Sequence, residues 1–121
     1  MVAYREESKD GWTILVGKGA RQNDELSLKI AEPQDWWMHA AGYSGSHVVV
    51  RSPEGDEPPR EVLQHAARLA AWHSKARGSR GKVEVHVCLA RDVGKASGYP
   101  PGTVNIKRFS VIKVYSKDPN E

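Results

Sequence analysis

The chain has 121 residues, 39% of them hydrophobic, with one cysteine and a formal charge of +3. That suits a single domain that folds without a disulfide or a metal, and the lone Cys88 fits a reducing compartment. No stretch approaches the roughly 20 apolar residues of a membrane span, and Met1–Asp10 is charged where a signal peptide is apolar, so a cytoplasmic protein is expected.

Met1–Lys9 is polar and reads as a frayed end within a flexible segment 1–10. Trp12–Val16 is β-branched and apolar, a strand ended by Gly17-Lys18-Gly19. Asn23 can cap a short helix whose Leu26 and Ile30 share one face, and Pro33 stops it. Asp35–Ala40 and Ser46–Arg51 read as two strands joined by a tight turn containing Gly42 and Gly45. Ser52–Pro59 is an acidic, Pro-containing loop.

Pro59 opens the longest helix. Val62, Ala66, Leu69, Ala70 and His73 form its apolar face, Gln64, Arg68 and Lys75 the opposite one, and Gly78 and Gly81 end it. Val83–Leu89 alternates: Val83, Val85 and Val87 point inward, leaving Glu84, His86 and Cys88 on an exposed face. Pro100-Pro101-Gly102 is a turn, and Val104–Ile106 with Phe109–Tyr115 reads as a closing hairpin through Lys107-Arg108. The expected fold is α+β: one domain over 1–121, a mostly antiparallel sheet with one long and one short helix packed on it.

Charge is uneven. Residues 1–60 sum to −3 and residues 61–121 to +6, and a basic half suits a phosphate-bearing partner. Gly17–Asn23 is a glycine-containing loop entering a helix, where Lys18 and Arg21 can hold a phosphate; it lacks the P-loop spacing, and its glycines can equally serve a tight turn. His39 and His47 flank a turn. They suit an acid/base pair, two zinc ligands, hydrogen bonds to RNA, or a purely structural role. No third zinc ligand is evident, because Cys88 is alone and no H-x-x-x-H or C-x-x-C spacing exists. Trp36 and Trp37 point to opposite faces of a strand, so one joins the core and the other can stack on a base. His73 falls on the apolar helix face, and Lys75, Arg77, Arg80 and Lys82 form a basic cluster beside the helix C-terminus.

Four ordered blocks resemble the NFACT-R family, the RNA-binding module of NFACT proteins, from about Trp12 to about Val114. They are Gly17–Leu26 ("GKGARQNDEL"), Asp35–Val50 with its D-x-W-x-H and G-S-H-V parts, Ala70–Arg77 ("AAWHSKAR"), and Val93-Gly94-Lys95 with Pro101–Val104 ("PGTV"). Ser44 stands where the family carries proline, and His73 where it carries an aromatic residue. The N-terminal, helix-hairpin-helix and coiled-coil parts of full-length NFACT proteins are not in this sequence, so it resembles a stand-alone member.

The resemblance implies binding of tRNA or another structured RNA, such as rRNA, in translation, ribosome-associated quality control or tRNA metabolism. The ribosome or a tRNA-modifying enzyme is a further partner it suggests. The expected contact set is Lys18, Arg21, Lys75, Arg77 and Lys95 for phosphates, and Asn23, His39, Ser46 and His47 for hydrogen bonds, with Trp36, Arg51 and Ser74 beside them. The leading expectation is a non-catalytic module with no cofactor, metal or membrane partner. An RNA-processing or tRNA-modifying enzyme using His39 and His47 is the alternative. The fibronectin- or fibrinogen-binding label attached to NFACT relatives ranks last.

Overall fold

Two successive residues with positive φ, Asp10 (52°) and Gly11 (86°), fold Tyr4–Lys9 (β1) back onto Trp12–Gly17 (β2). The computed structural model describes residues 4–120. Lys9 pairs with Trp12 and Tyr4 with Gly17, the tight hairpin that an Asp-Gly pair favours. Tyr4–Lys9 is therefore a paired edge strand and not part of a frayed end; Met1–Ala3 lie outside the described residues.

After β2 the chain enters a six-residue helix, Ala20–Glu25 (α1), which widens into a π-helical turn over Leu26–Ile30. The Ala31 N–H closes that turn on the Leu26 carbonyl at 2.9 Å. Gly19 occupies the cap position and Asn23 lies inside α1, buried, so Asn23 is not a cap. Its side chain is drawn instead to groups outside the helix, described below.

Trp36–Ala40 (β3) and Val48–Val50 (β4) pair with Trp37 opposite Val49 and Met38 opposite Val48. The connection between them is a seven-residue loop, 41–47, and not a tight turn. Asp35 anchors the far end of this pair. It is 1% exposed and accepts hydrogen bonds from the Glu32 and Ser52 N–H groups at 2.9 and 2.8 Å, with Arg51 Nε 3.3 Å away.

The long helix, Arg60–Trp72 (α2), begins after Pro59 and ends well before Gly78. The Ser74 hydroxyl donates to the Ala71 carbonyl (2.7 Å) and accepts from the Ala76 N–H (3.0 Å), which turns the chain out of the helix. Lys75 therefore sits in this exit turn and not on the polar helix face.

Lys82–Leu89 (β5) and Ser110–Tyr115 (β8) complete a six-stranded, wholly antiparallel sheet in the order β1-β2-β4-β3-β5-β8. Val93–Gly94 (β6) and Asn105–Ile106 (β7) form a separate two-stranded ribbon. The expected hairpin through Lys107-Arg108 does not form: β7 pairs with β6 and β8 with β5.

One sheet face packs on α2. Ile14, Val16, Met38, Val48, Val50, Val83, Val85 and Val87 meet Val62, Leu69 and the helix alanines, whose small side chains let helix and sheet approach closely. The other face carries a second, smaller core of Leu15, Leu26, Trp37, Val49 and Cys88 under the π-turn and the ribbon. Cys88 is thus buried, where alternation in β5 had pointed to an exposed face. Among the described residues no helix is long and apolar enough to cross a membrane.

Candidate nucleic-acid interface

The second sheet face is covered at one end only. At its open end, loop 41–47 is stitched to two distant segments. Ser46 N–H donates to the His73 carbonyl (2.9 Å) and Lys75 N–H to the Ser44 carbonyl (2.8 Å), tying the loop to the α2 exit. Gly17 N–H donates to the His47 carbonyl (2.9 Å) and the Ser46 hydroxyl to the Gly17 carbonyl, tying it to β2. Asn23 completes the junction: its Oδ1 accepts from His47 N–H at 3.1 Å and its Nδ2 donates to the Gly45 carbonyl at 3.2 Å.

Two glycines permit this. A Cβ on Gly45 would lie 2.4 Å from Ser74 Cβ and 2.9 Å from the His73 carbonyl oxygen. A Cβ on Gly17 would lie 2.0 Å from Asn23 Oδ1. Both sites need a residue without a side chain because backbone and side chain meet at contact distance.

The junction divides two recesses that share Lys18, Ser44, Gly45, Ser46 and His73. The larger, about 820 Å³, has Trp37, His39, His47, His86 and Phe109 on its floor, with loop 41–47 and Pro101–Val104 as walls. The smaller, about 540 Å³, runs between β2 and the α2 exit and carries Arg5, Lys18, Lys75 and Arg77. No aspartate or glutamate lines either recess among the described residues.

The ring cluster on the floor is a continuous network. Trp37 is stacked on His39 at 6.1 Å, and His47 meets Trp37 and His39 edge-on at 5.1 Å each. His39 lies opposite His86 across β3 and β5, and Phe109 covers His86 at 4.3 Å. The Trp37 Nε1–H donates to Ser27 Oγ at 2.8 Å, and Ser27 Oγ lies 2.7 Å from His47 Nδ1. An indole can only donate, so Ser27 Oγ accepts from it and links the Trp37 and His47 rings through one hydroxyl.

Burial, then the adjacent His39 ring, pushes His47 down to about 4. Burial and His86 lower His39; burial, then Arg5 and Arg77, lowers His73. At neutral pH these imidazoles are uncharged and offer a donor and an acceptor rather than a cation. Burial, then Asp92, raises the Cys88 thiol to about 12, which makes it unreactive. No group of three His, Cys, Asp or Glu side chains among the described residues is arranged to hold a metal ion.

Of the residues expected from sequence, Lys18, Asn23, His39, Ser46, His47, Ser74, Lys75 and Arg77 do meet at this junction. Within it His47 is 1% exposed and Asn23 is buried, and both hold the junction together through their hydrogen bonds. Arg77 lies over the Trp72 ring at 4.1 Å and donates from Nε to the Trp72 carbonyl, which holds its guanidinium over that ring beside the smaller recess. Arg21 is exposed on α1 and lines neither recess.

Three candidates lie elsewhere. Trp36 packs against the α2 core on the opposite sheet face, and the buried Trp37 takes the site side. Arg51 belongs to the Asp35 anchor and also donates to the Ile30 carbonyl at 3.2 Å. Lys95 is bound internally, 3.0 Å from Asp24 and donating to the Pro100 and Thr103 carbonyls, so it fastens the Pro101–Val104 wall to α1. Sequence reasoning missed His86, Phe109 and Arg5. Alternation in β5 places His86 on the face of Trp37 and His39 only once the β3–β5 register is known.

The chain matches the NFACT protein RNA binding domain over residues 1–108. It is 45% identical over 98 residues to "Rqc2 homolog RqcH" of Bacillus subtilis, covering 81% of this chain and 16% of that protein. It is 28% identical over 105 residues to "Ribosome quality control complex subunit 2" of Saccharomyces cerevisiae, covering 83% of this chain and 10% of that one. The solved C-terminal part of the fibronectin/fibrinogen-binding protein from Streptococcus suis superposes with a TM-score of 0.88 at 39% identity, over 98% of this chain and 47% of that chain. The chain thus spans a small fraction of the length of the curated relatives it matches. With its blocks in family order and its fold superposing over nearly its whole length, the chain belongs to the NFACT protein RNA binding domain family.

Proposed function

We propose that this domain is a non-catalytic RNA-binding module, with tRNA or another structured RNA as its ligand and ribosome-associated quality control in the cytoplasm as its setting. One observation carries the reading: two adjoining recesses, lined by no carboxylate among the described residues, bring Arg5, Lys18, Lys75 and Arg77 to one side of the molecule. A polyanion is the complementary partner for such a groove. The family description and the names of the relatives support the same reading.

The non-catalytic part rests on the histidines. An acid/base pair needs one imidazole able to gain a proton near neutral pH, and burial holds both His39 and His47 below their ordinary value. The 5.1 Å approach of the two rings is what favours the enzyme alternative. Incubating labelled tRNA with the wild type and with His39→Ala separates the two: turnover abolished by the substitution supports an enzyme.

Binding itself is tested by measuring tRNA affinity across a salt series. Each neutralised phosphate contributes about 0.7–0.9 to the log–log slope, so four cations give a slope of roughly 3. Lys18→Ala and Lys75→Ala should each lower it by about one contact. Absence of binding at low salt, or a flat response, refutes the reading.

A further inference from the structure

We infer that the larger recess receives a single unpaired nucleotide, base inward, while the phosphates of its strand follow the adjoining cationic groove. This rests on the RNA-binding reading above and names the form of RNA that the site takes.

The two recesses divide the chemistry as a nucleotide does. The floor of the larger one is made of flat aromatic and imidazole rings, and Lys18 stands where it meets the smaller recess, which holds Arg5, Lys75 and Arg77. A base is a flat, uncharged ring with a polar edge; its phosphate is an anion a few ångströms away. A volume of about 820 Å³ lies within the range of small-molecule sites and exceeds what a lone phosphate would need.

Phe109 supplies the second observation. It is 51% exposed, yet its ring leans on His86 at 4.3 Å with an interplanar angle of 44°. The ring is thus held against the protein and remains half exposed in the recess. A large apolar ring fixed in this way is a stacking platform, and base stacking on such a ring is insensitive to base identity. The walls add selectivity at the base edge: backbone groups of loop 41–47 and Pro101–Val104 and the ring nitrogens of His39 and His86 supply hydrogen-bonding partners. A duplex cannot use this arrangement, because its bases are stacked inside and its deep groove is closed to side chains.

The test compares an RNA hairpin having a single-stranded loop with a fully paired duplex of the same length and charge, both at low salt. The hairpin should bind at least tenfold more tightly. Phe109→Ala should weaken hairpin binding roughly tenfold and leave duplex binding within twofold, because stacking is lost and the phosphate contacts are kept. Val111→Thr, an exposed change in the adjoining strand β8 that does not line the recess, serves as the folding control and should alter neither. A 2-aminopurine base in the loop should be quenched on binding to wild type and not to Phe109→Ala. Equal affinity for hairpin and duplex, or equal loss of both in Phe109→Ala, overturns the inference while leaving RNA binding intact. Binding to neither RNA overturns the RNA-binding reading itself and this inference with it.

Discussion

Asn23→Ala should loosen the junction more than any exposed substitution around it. The side chain makes two hydrogen bonds from α1 to loop 41–47, at 3.1 and 3.2 Å, and the His47 N–H it satisfies is buried. Losing two such bonds removes about 1 kcal/mol each, and a stranded buried N–H adds about 1–3 kcal/mol. The vacated space borders an open recess, so water can enter and relieve part of that penalty, leaving about 2–3 kcal/mol in all. For a domain of this size the midpoint should fall by roughly 10 °C.

Asn23→Asp separates stability from binding. It keeps an acceptor for the His47 N–H, sets a carboxylate against the Gly45 carbonyl, and puts a negative charge beside the cationic recess. RNA affinity should therefore fall further than in Asn23→Ala. Urea unfolding and RNA binding on the same samples read both effects. Gly17→Ala sharpens the test: its Cβ would strike Asn23 Oδ1, so the double variant Gly17→Ala/Asn23→Ala should cost less than the two single changes together. A loss below about 0.5 kcal/mol for Asn23→Ala, or strict additivity with Gly17→Ala, refutes the role given to this side chain.

Gly45→Ala should destabilise the fold by about 2 kcal/mol or more and weaken RNA binding, because the new Cβ forces loop 41–47 off the α2 exit at Ser74; unchanged unfolding and affinity would contradict the contact. Arg51→Ala should cost about 1–2 kcal/mol by taking a charged partner from the buried Asp35, yet leave RNA affinity unchanged, because Arg51 lies outside both recesses. Loss of affinity in that variant without unfolding would place the interface elsewhere. Stability should also depend on pH. The unfolded chain protonates His47 near 6.5 and the folded one near 4, so unfolding takes up a proton between those values. Stability from this group is full above about 6.5 and falls by about 3 kcal/mol as pH drops towards 4. The lowered His39, His65 and His73 add to the same trend. Urea midpoints at neutral and mildly acidic pH check it, and His47→Gln should flatten the profile; a profile that is level in the wild type sinks the account.

His65 illustrates a feature with no sequence signature. Its Nε2 is buried without a hydrogen-bond partner, on the helix face turned to the β1–β2 hairpin charges Glu7, Lys9 and Asp10. The cost of the unsatisfied nitrogen depends on a strand that the polar Tyr4–Lys9 segment gave little sign of forming. The Asp10-Gly11 pair was the available signal, since it matches the twist of a two-residue hairpin.

Local chemistry was enough to place β2, the body of α2 and β5, because each carries its own period of apolar residues and its own breakers. It was also enough for the blocks that mark the family, since those are spacings along one chain. Other features depended on neighbours. Alternation assigns Trp36 and Trp37 to opposite faces, but which face is covered by α2 and which floors a recess follows only from the sheet order. Lys95 and Arg51 look like free cations until folding brings Asp24 and Asp35 beside them. His47 resembles a surface ligand until the Asn23 and Ser27 contacts bury it. The physical reason is common to all of these: periodicity and capping act over one or two turns of chain, whereas a charge's partner, a ring's burial and a recess's walls are set by strands that pair across long intervals of sequence.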